Sequence, residues 1–382
     1  MKTLTRLACA VTISAAAVAA FAAPAGAATH GRPAGSPGEA YRAVFVQTDN
    51  TAGNQVVAYH RGTSGALSLA GTYPTGGLGG VLSGSVVDHL ASQGSLTYDP
   101  WHGLLYAVNA GSNTVSVFGV HGDALGLRQV IRSGGKFPVS VAVRGNVVYV
   151  VNAENGGFLQ GYRVISDRLS AIAGSGRALG LNPAATPQFT NTPGQVAFSP
   201  DGSQLIVTTK ANGSDIDVFG VRSDGTLSAA PVVNSEPGAV PFGITFDPAG
   251  HLVIAEAGTD ALATFALAGN GTVSLIDSVP NGQAATCWDA RAGSEIYASN
   301  AGSADVSGYQ TSPSGNLTLL GQTPTGAGTV DAAATADGQF LYVQTGGAGV
   351  VDEFSVGAGG ALTSLGSVTV AGAVGGEGIA AS

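Results

Sequence analysis

Apolar residues along this chain recur at every second position in short runs, and the runs are rich in β-branched and aromatic residues. That period predicts strands and excludes a helical bundle. Seven runs share one form: AVFVQTD (43–49), LLYAVNA (104–110), VVYVVNA (147–153), QLIVTTK (204–210), HLVIAEA (251–257), EIYASNA (295–301) and FLYVQTG (340–346). Their third positions are Phe45, Tyr106, Tyr149, Ile206, Val253, Tyr297 and Tyr342. After a turn rich in Gly, Asn or Asp, each run is followed by a second strand ending in an aromatic: Tyr59, Phe118, Tyr162, Phe219, Phe265, Tyr309 and Phe354. The paired positions lie 12 to 14 residues apart, too close for an intervening helix. A third strand follows, marked by Leu67, Leu125, Leu169, Leu227, Val273, Leu317 and Leu362, most of them preceded by a turn such as DGT (224–226) or NGT (270–272). Such turns suit antiparallel hairpins.

A fourth strand precedes most units, clearest as VAFSPDG (196–202) and ITFDPAG (244–250), weaker as LTYDP (96–100), CWDARAG (287–293) and AAATADG (332–338). Four antiparallel strands per unit, repeated seven times, predict an all-β, seven-bladed β-propeller. The first unit, 41–70, lacks a strand of the fourth kind, and the closing GIAAS (378–382) matches the start of GITFD (243–247). The C-terminus is therefore expected to supply the innermost strand of the first blade and close the ring, leaving no open edge. Two stretches exceed the repeat, 74–95 and 178–194, both rich in Gly, Ser, Thr, Asn or Pro. Insertions that do not build the scaffold are the first places to look for function.

Composition narrows the classes. The 382 residues include 59 Gly, only 15 Lys plus Arg, and 24 Asp plus Glu, for a formal net charge of −9. A protein that neutralises phosphates needs clustered cations, so nucleic acid is not an expected partner. Lys2 and Arg6 precede an apolar run from Leu7 to Phe21 and a small-residue site, Ala25-Gly26-Ala27. This is the pattern of a secretory signal peptide over 1–27, followed by a disordered leader over 28–40 and one propeller domain over 41–382. The expected mature protein is secreted, without a membrane anchor, and monomeric. Removing the signal leaves Cys287 as the lone cysteine, so no internal disulfide is expected.

The strands YAVN (106–109), YVVN (149–152) and YASN (297–300), with FSPDG (198–202) ahead, resemble those of the lactonase-type, 6-phosphogluconolactonase-like seven-bladed propellers. The resemblance covers 41–382 and implies lactone chemistry at a central channel. In that family a histidine commonly sits three residues before the blade aromatic of the inner strand; here Gln195 and Gly243 occupy those positions. An acidic residue often replaces or follows the strand-end asparagine, a place that Glu256 fits, with Glu154 two residues beyond Asn152. The family's arginine is expected after a later asparagine, yet Ala301 follows Asn300. One of three catalytic residue types is thus placed, with Glu256 as its carrier.

The 74–95 insertion holds Asp88 and His89, which could form a base with its orienting partner, and His89 is the second catalytic candidate. His60, His102, His121 and His251 read as solvated turn residues, and Cys287-Trp288 as buried packing in an inner strand. Lys136, Phe242, Asp331 and Glu377 lie on connections into successive inner strands, where propeller ligand sites form, and with Asp88, His89 and Gln195 they make the candidate binding set. No metal or cofactor motif occurs. The sequence points first to a secreted, non-catalytic propeller that binds another extracellular protein. Its export signal, size and disulfide-free propeller are similar to secreted bacterial propellers that act on a neutral metalloprotease. The alternative is a hydrolase of small lactones at the channel. A concave pocket with convergent titratable groups would favour the hydrolase, and a shallow apolar rim the binder.

Overall fold

The computed structural model describes residues 42–382. The predicted signal peptide (1–27) and the predicted leader (28–40) lie outside them. Among the described residues no helix is long and apolar enough to cross a membrane.

Seven antiparallel sheets follow one another along the chain. Blade 1 comprises Ala43–Gln47, Gln55–Arg61 and Leu67–Pro74, and its innermost strand is Ile379–Ala381 from the C-terminus. That strand pairs Ile379, Ala380 and Ala381 with Val46, Phe45 and Val44, extended by hydrogen bonds from Gln47 N to Gly378 O (2.8 Å) and from Ser382 N to Ala43 O (2.9 Å). The ring is closed as the repeat predicted. Blades 2 to 7 begin at the inner strands Leu96–Asp99, Pro138–Arg144, Pro193–Phe198, Pro241–Phe246, Thr286–Ala292 and Thr329–Ala334.

The repeated aromatics explain why the blades stack. The seven third-position residues are buried, and three tyrosines among them also reach the next blade. Tyr149, Tyr297 and Tyr342 donate their phenol hydroxyls to the carbonyls of Gly225, Gly360 and Gly65, at 2.8, 2.8 and 2.6 Å. Each acceptor lies in the outer hairpin turn of the following blade at positive φ, a conformation that glycine adopts without strain. The second-strand aromatics point the other way: Tyr162 and Tyr309 donate to Arg132 O (2.6 Å) and Val279 O (3.2 Å) of the preceding blade. A buried tyrosine whose hydroxyl is satisfied contributes area without a desolvation penalty.

Two outer strands depart from the expected repeat. In blade 3 the outer strand breaks into Arg168–Ala171 and Arg177–Ala178. In blade 4 Leu227 forms only an isolated bridge with Val221, and the strand is Val232–Ser235. Pro231 precedes it and has no N–H to donate, so pairing starts after that residue.

Candidate functional site

Five inner strands start with a register shift of one extra residue, between Pro138 and Ser140, Pro193 and Val196, Pro241 and Ile244, Thr286 and Trp288, and Thr329 and Ala332. A bulge bends the strand and re-aims a side chain, which is why bulges collect beside functional sites. Here they lie where each chain segment arrives at the channel, and they present Gln195, Phe242, Cys287 and Asp331 there. The next ring of side chains comes from the seventh position of the repeated run. Five units carry Ala110, Ala153, Ala257, Ala301 or Gly346; the other two carry Asp49 and Lys210. Both charged residues are buried.

The 74–95 insertion folds over this end of the channel. Asp88 organises it: one carboxylate oxygen accepts Leu90 N and Ala91 N at 2.8 Å each, and the other accepts Ser92 N at 2.9 Å. The tight turn so formed lets Ser92 and Gln93 reach across to blade 6. Trp288 Nε1 donates to Ser92 O (2.7 Å), Gln93 Nε2 to Asp289 O (2.5 Å), and Asp289 N to Gln93 Oε1 (3.0 Å). Ser83 N donates to Gln188 Oε1 (3.0 Å) and Phe189 N to Ser83 O (3.3 Å), which joins the second insertion to the first. Between the two insertions and blades 4 to 6 lies a cavity of about 190 Å³. Its walls include Val86, Val87, Phe189, Phe242, Trp288 and Cys287, with Asp88 and Lys210 as its ionisable pair of opposite sign. Phe242 and Trp288 pack edge to face at 5.1 Å. Lys210 Nζ donates to Ala91 O and lies 5.1 Å from the centre of the Phe242 ring.

Burial sets the electrostatics. Desolvation pushes the Lys210 ammonium down from its ordinary value, opposed by the nearby Asp88 carboxylate. Desolvation pushes Asp88 up, opposed by its backbone hydrogen bonds and by Lys210. Both shifts move toward neutrality, the condition for a proton-transfer pair. Behind this pair the channel is acidic. Glu377 N donates to Asp49 Oδ2 (2.8 Å), and the Glu377 carboxylate accepts Ser92 Oγ (3.3 Å) and Ser95 N (3.4 Å). Asp331 shares a side-chain hydrogen bond with Glu377 and accepts Ala332 N (2.9 Å) and Ile379 N (3.4 Å). Burial raises Asp49 to about 8 and holds Asp331, Glu377 and Asp289 above the usual carboxylate range. Neither carboxylate oxygen of Asp289 has a hydrogen-bond partner. Among the described residues no three His, Cys, Asp or Glu side chains converge as a metal-ligand set.

The sequence-derived candidates separate into two groups. Asp88, Phe242, Asp331 and Glu377 meet at the channel mouth as described. Gln195 also faces it, its Oε1 accepting Ile244 N (2.6 Å) to tie blade 4 to blade 5. His89 stands beside the cavity rather than in its wall: its backbone clasps Leu82 and Gly375, and its ring packs on Gly375, where a Cβ would lie 2.0 Å from Nε2. Desolvation lowers its pKa, and its buried Nδ1 has no partner. Lys136 is exposed, its carbonyl accepting Glu154 N (3.2 Å). Glu256 turns away from the channel to accept Thr259 Oγ1 (3.0 Å) and Ser278 Oγ (3.3 Å) along its own blade. It stands at the sixth repeat position, where Asn109 and Asn300 clip their own blades through Ser116 Oγ (2.8 Å) and Ser307 Oγ (2.9 Å). Sequence reasoning missed Lys210, Asp49 and Asp289, and it read Cys287-Trp288 as plain packing.

No protein-family model matches the chain, and no curated protein matches it in sequence. Solved structures do. A 6-phosphogluconolactonase-like protein from Bacteroides fragilis has a TM-score of 0.70 at 19% identity, covering 91% of this chain and 100% of its own. A protein from Lactobacillus plantarum gives 0.71 at 19%, covering 90% and 99%. The periplasmic gluconolactonase of Pseudomonas aeruginosa gives 0.68 at 18%, covering 89% and 98%. The fold is that of the 6-phosphogluconolactonase-like seven-bladed propellers, and at these identities the likeness speaks for the fold alone.

Proposed function

We propose that this chain is a hydrolase of a small lactone, acting at the channel mouth. The observation that carries the reading is the concave, almost wholly apolar cavity whose lining residues include the buried Asp88 and Lys210, which interact electrostatically and are both shifted toward neutrality by burial. Structural neighbours named as gluconolactonases support it at the level of fold. In this reading the Asp88 carboxylate takes a proton from the attacking water, and the Lys210 ammonium faces the negative charge that develops on the carbonyl oxygen. General-base and oxyanion interactions each contribute about 10²-fold or more when they act only in the transition state. The signal-peptide pattern of residues 1–27 supports a site of action outside the cytoplasm.

The test is a lactone-hydrolysis screen on the native protein beside Lys210→Met, Asp88→Asn and Glu256→Gln. Turnover falling at least about 100-fold in the first two, and little changed in Glu256→Gln, is the expected pattern. Loss in Glu256→Gln alone would move the chemistry to blade 5. Absence of turnover in the native protein would remove the enzyme reading. The exposed Leu78, Val81 and Val86 of the first insertion favour the second reading, a protein-binding rim with a secreted protease among its candidate partners. A pull-down that depends on this insertion, without any turnover, would establish that reading instead.

A further inference from the structure

The cavity's chemistry differs from what a phosphorylated sugar lactone requires. A phosphate needs several cations or free N–H groups, and a sugar ring needs a donor or acceptor for each hydroxyl. The wall supplies one cation, Lys210, whose ammonium is already engaged by Ala91 O and faces Asp88. An ammonium has three N–H donors, so Lys210 keeps capacity for one ester oxygen beyond its bond to Ala91 O. The other side-chain donors of the wall are spent: Trp288 Nε1 on Ser92 O, Thr190 Oγ1 on Pro187 O (3.2 Å), and Ser85 Oγ on Asp88 O. What remains is apolar: Val86, Val87, Phe189, Val240, Phe242 and the Trp288 ring, floored by the small seventh-position residues Ala257 and Ala301. Size limits the ligand further. A dry cavity of ~150 Å³ holds one benzene ring, so about 190 Å³ holds a ring with a short alkyl arm, roughly eight non-hydrogen atoms on the same scale.

We infer that the ligand is a neutral, apolar γ- or δ-lactone with a short alkyl chain, and that phosphorylated and polyhydroxylated lactones are rejected. The inference rests on the proposed hydrolase reading for the ester group, but its binding class stands on the cavity wall alone. The ring and alkyl arm displace water from the aromatic faces of Phe242 and Trp288. The ester group, the ligand's one polar function, points to the Asp88–Lys210 side, so no polar atom meets the apolar wall unpaired.

The experiment uses Trp288 as its reporter. The sequence has two tryptophans, and Trp101 is 83% exposed on a turn that does not line this cavity. Trp101→Phe therefore leaves a single emitter in the cavity wall. Its fluorescence is titrated with γ-heptalactone, with cycloheptanone as a ring that water cannot hydrolyse, and with glucono-δ-lactone and 6-phosphogluconolactone. The expected result is a saturable change with the two apolar rings and at least 10-fold weaker binding of both sugar lactones. Filling the floor with Ala301→Phe, or with Ala257→Phe should the first not fold, abolishes the change. Cycloheptanone binding without turnover of any lactone supports the ligand class and removes the hydrolase reading. Turnover of 6-phosphogluconolactone in preference to γ-heptalactone does the reverse. A silent Trp288 with both apolar rings overturns the inference.

Discussion

Two places in this propeller collect aspartates beside histidines or lysine, and they treat them in opposite ways. In the inner hairpin turns of blades 2 and 5 the carboxylates are fully served. Asp247 accepts Ala249 N (2.9 Å), His251 N (2.8 Å) and His251 Nδ1 (2.7 Å). Asp99 does the same for Trp101 N (3.0 Å), His102 N (3.3 Å) and His102 Nδ1 (2.6 Å). These are turn locks, and their chemistry is spent on holding a reversal of the chain. At the channel mouth, Asp289 is buried with both oxygens unpartnered, Asp331 and Glu377 share one hydrogen bond, and Lys210 is the cation facing the group. A fold tolerates under-served buried charge only at a cost. The difference teaches that an Asp-His pair in a turn of this repeat is scaffold, while function is sought where a buried carboxylate faces a buried cation, as Asp88 faces Lys210 although its backbone hydrogen bonds are made.

The comparison can be broken by experiment, beginning with the largest effect. Deleting 378–382 removes the innermost strand of blade 1 and the acceptors that position the adjacent Glu377 loop. The protein is expected to be insoluble or to melt more than about 10 °C lower, since several kcal/mol are lost at about 2–4 °C each. A truncated chain that melts like the intact one would contradict ring closure.

Next comes the served aspartate. Asp247→Ala strands the His251 and Ala249 donors and is expected to cost about 1–3 kcal/mol in a denaturant titration. Asp289→Asn should act with the opposite sign. The folded pKa of Asp289 is raised above 3.8, so its stabilising neutral form is fully effective below that pH and is lost as pH rises through the folded value. The native Tm is therefore expected to fall from acid toward alkaline pH, and Asp289→Asn to flatten that fall and raise Tm by a few degrees at pH 8. A lower Tm at every pH would show that Asp289 is served after all. Smallest of all, reducing agent and chelator should leave Tm unchanged within about a degree, since Cys287 is free and no metal motif occurs.

The fold was legible because a two-residue period repeated seven times leaves little choice of architecture. Ring closure was legible in GIAAS for the same reason. The site was legible in part. Asp88, Phe242, Asp331 and Glu377 could be found because connections into inner strands are where a propeller opens. Cys287 and Trp288 do pack in an inner strand as read, Trp288 buried against Phe242 and Val330. What the alternation did not give is their place in the cavity wall, because the bulge at Thr286 adds one residue and shifts which face each side chain takes. Lys210 and Asp49 stood in view, as the only charges at the seventh position of the repeat. The family pattern drew attention to blade 6 instead, where Ala301 occupies that position. Glu256 looked catalytic by its place after the strand, yet the asparagines at the same place in blades 2 and 6 fasten their own blades, and it does likewise.

The central claim is that Asp88 and Lys210 act together as the proton-transfer and charge-stabilising pair of the cavity. It is tested most directly by kcat/KM for γ-heptalactone as a function of pH, in the native protein and in Asp88→Asn. Asp88 is raised and Lys210 lowered, so activity should climb as Asp88 loses its proton and decline as Lys210 loses its own. The expected profile is a narrow bell near neutrality in the native protein, with the acid limb gone and the residual rate at least about 100-fold lower in Asp88→Asn. A profile that keeps its acid limb in Asp88→Asn, or a native protein that turns over no lactone at any pH, would contradict it.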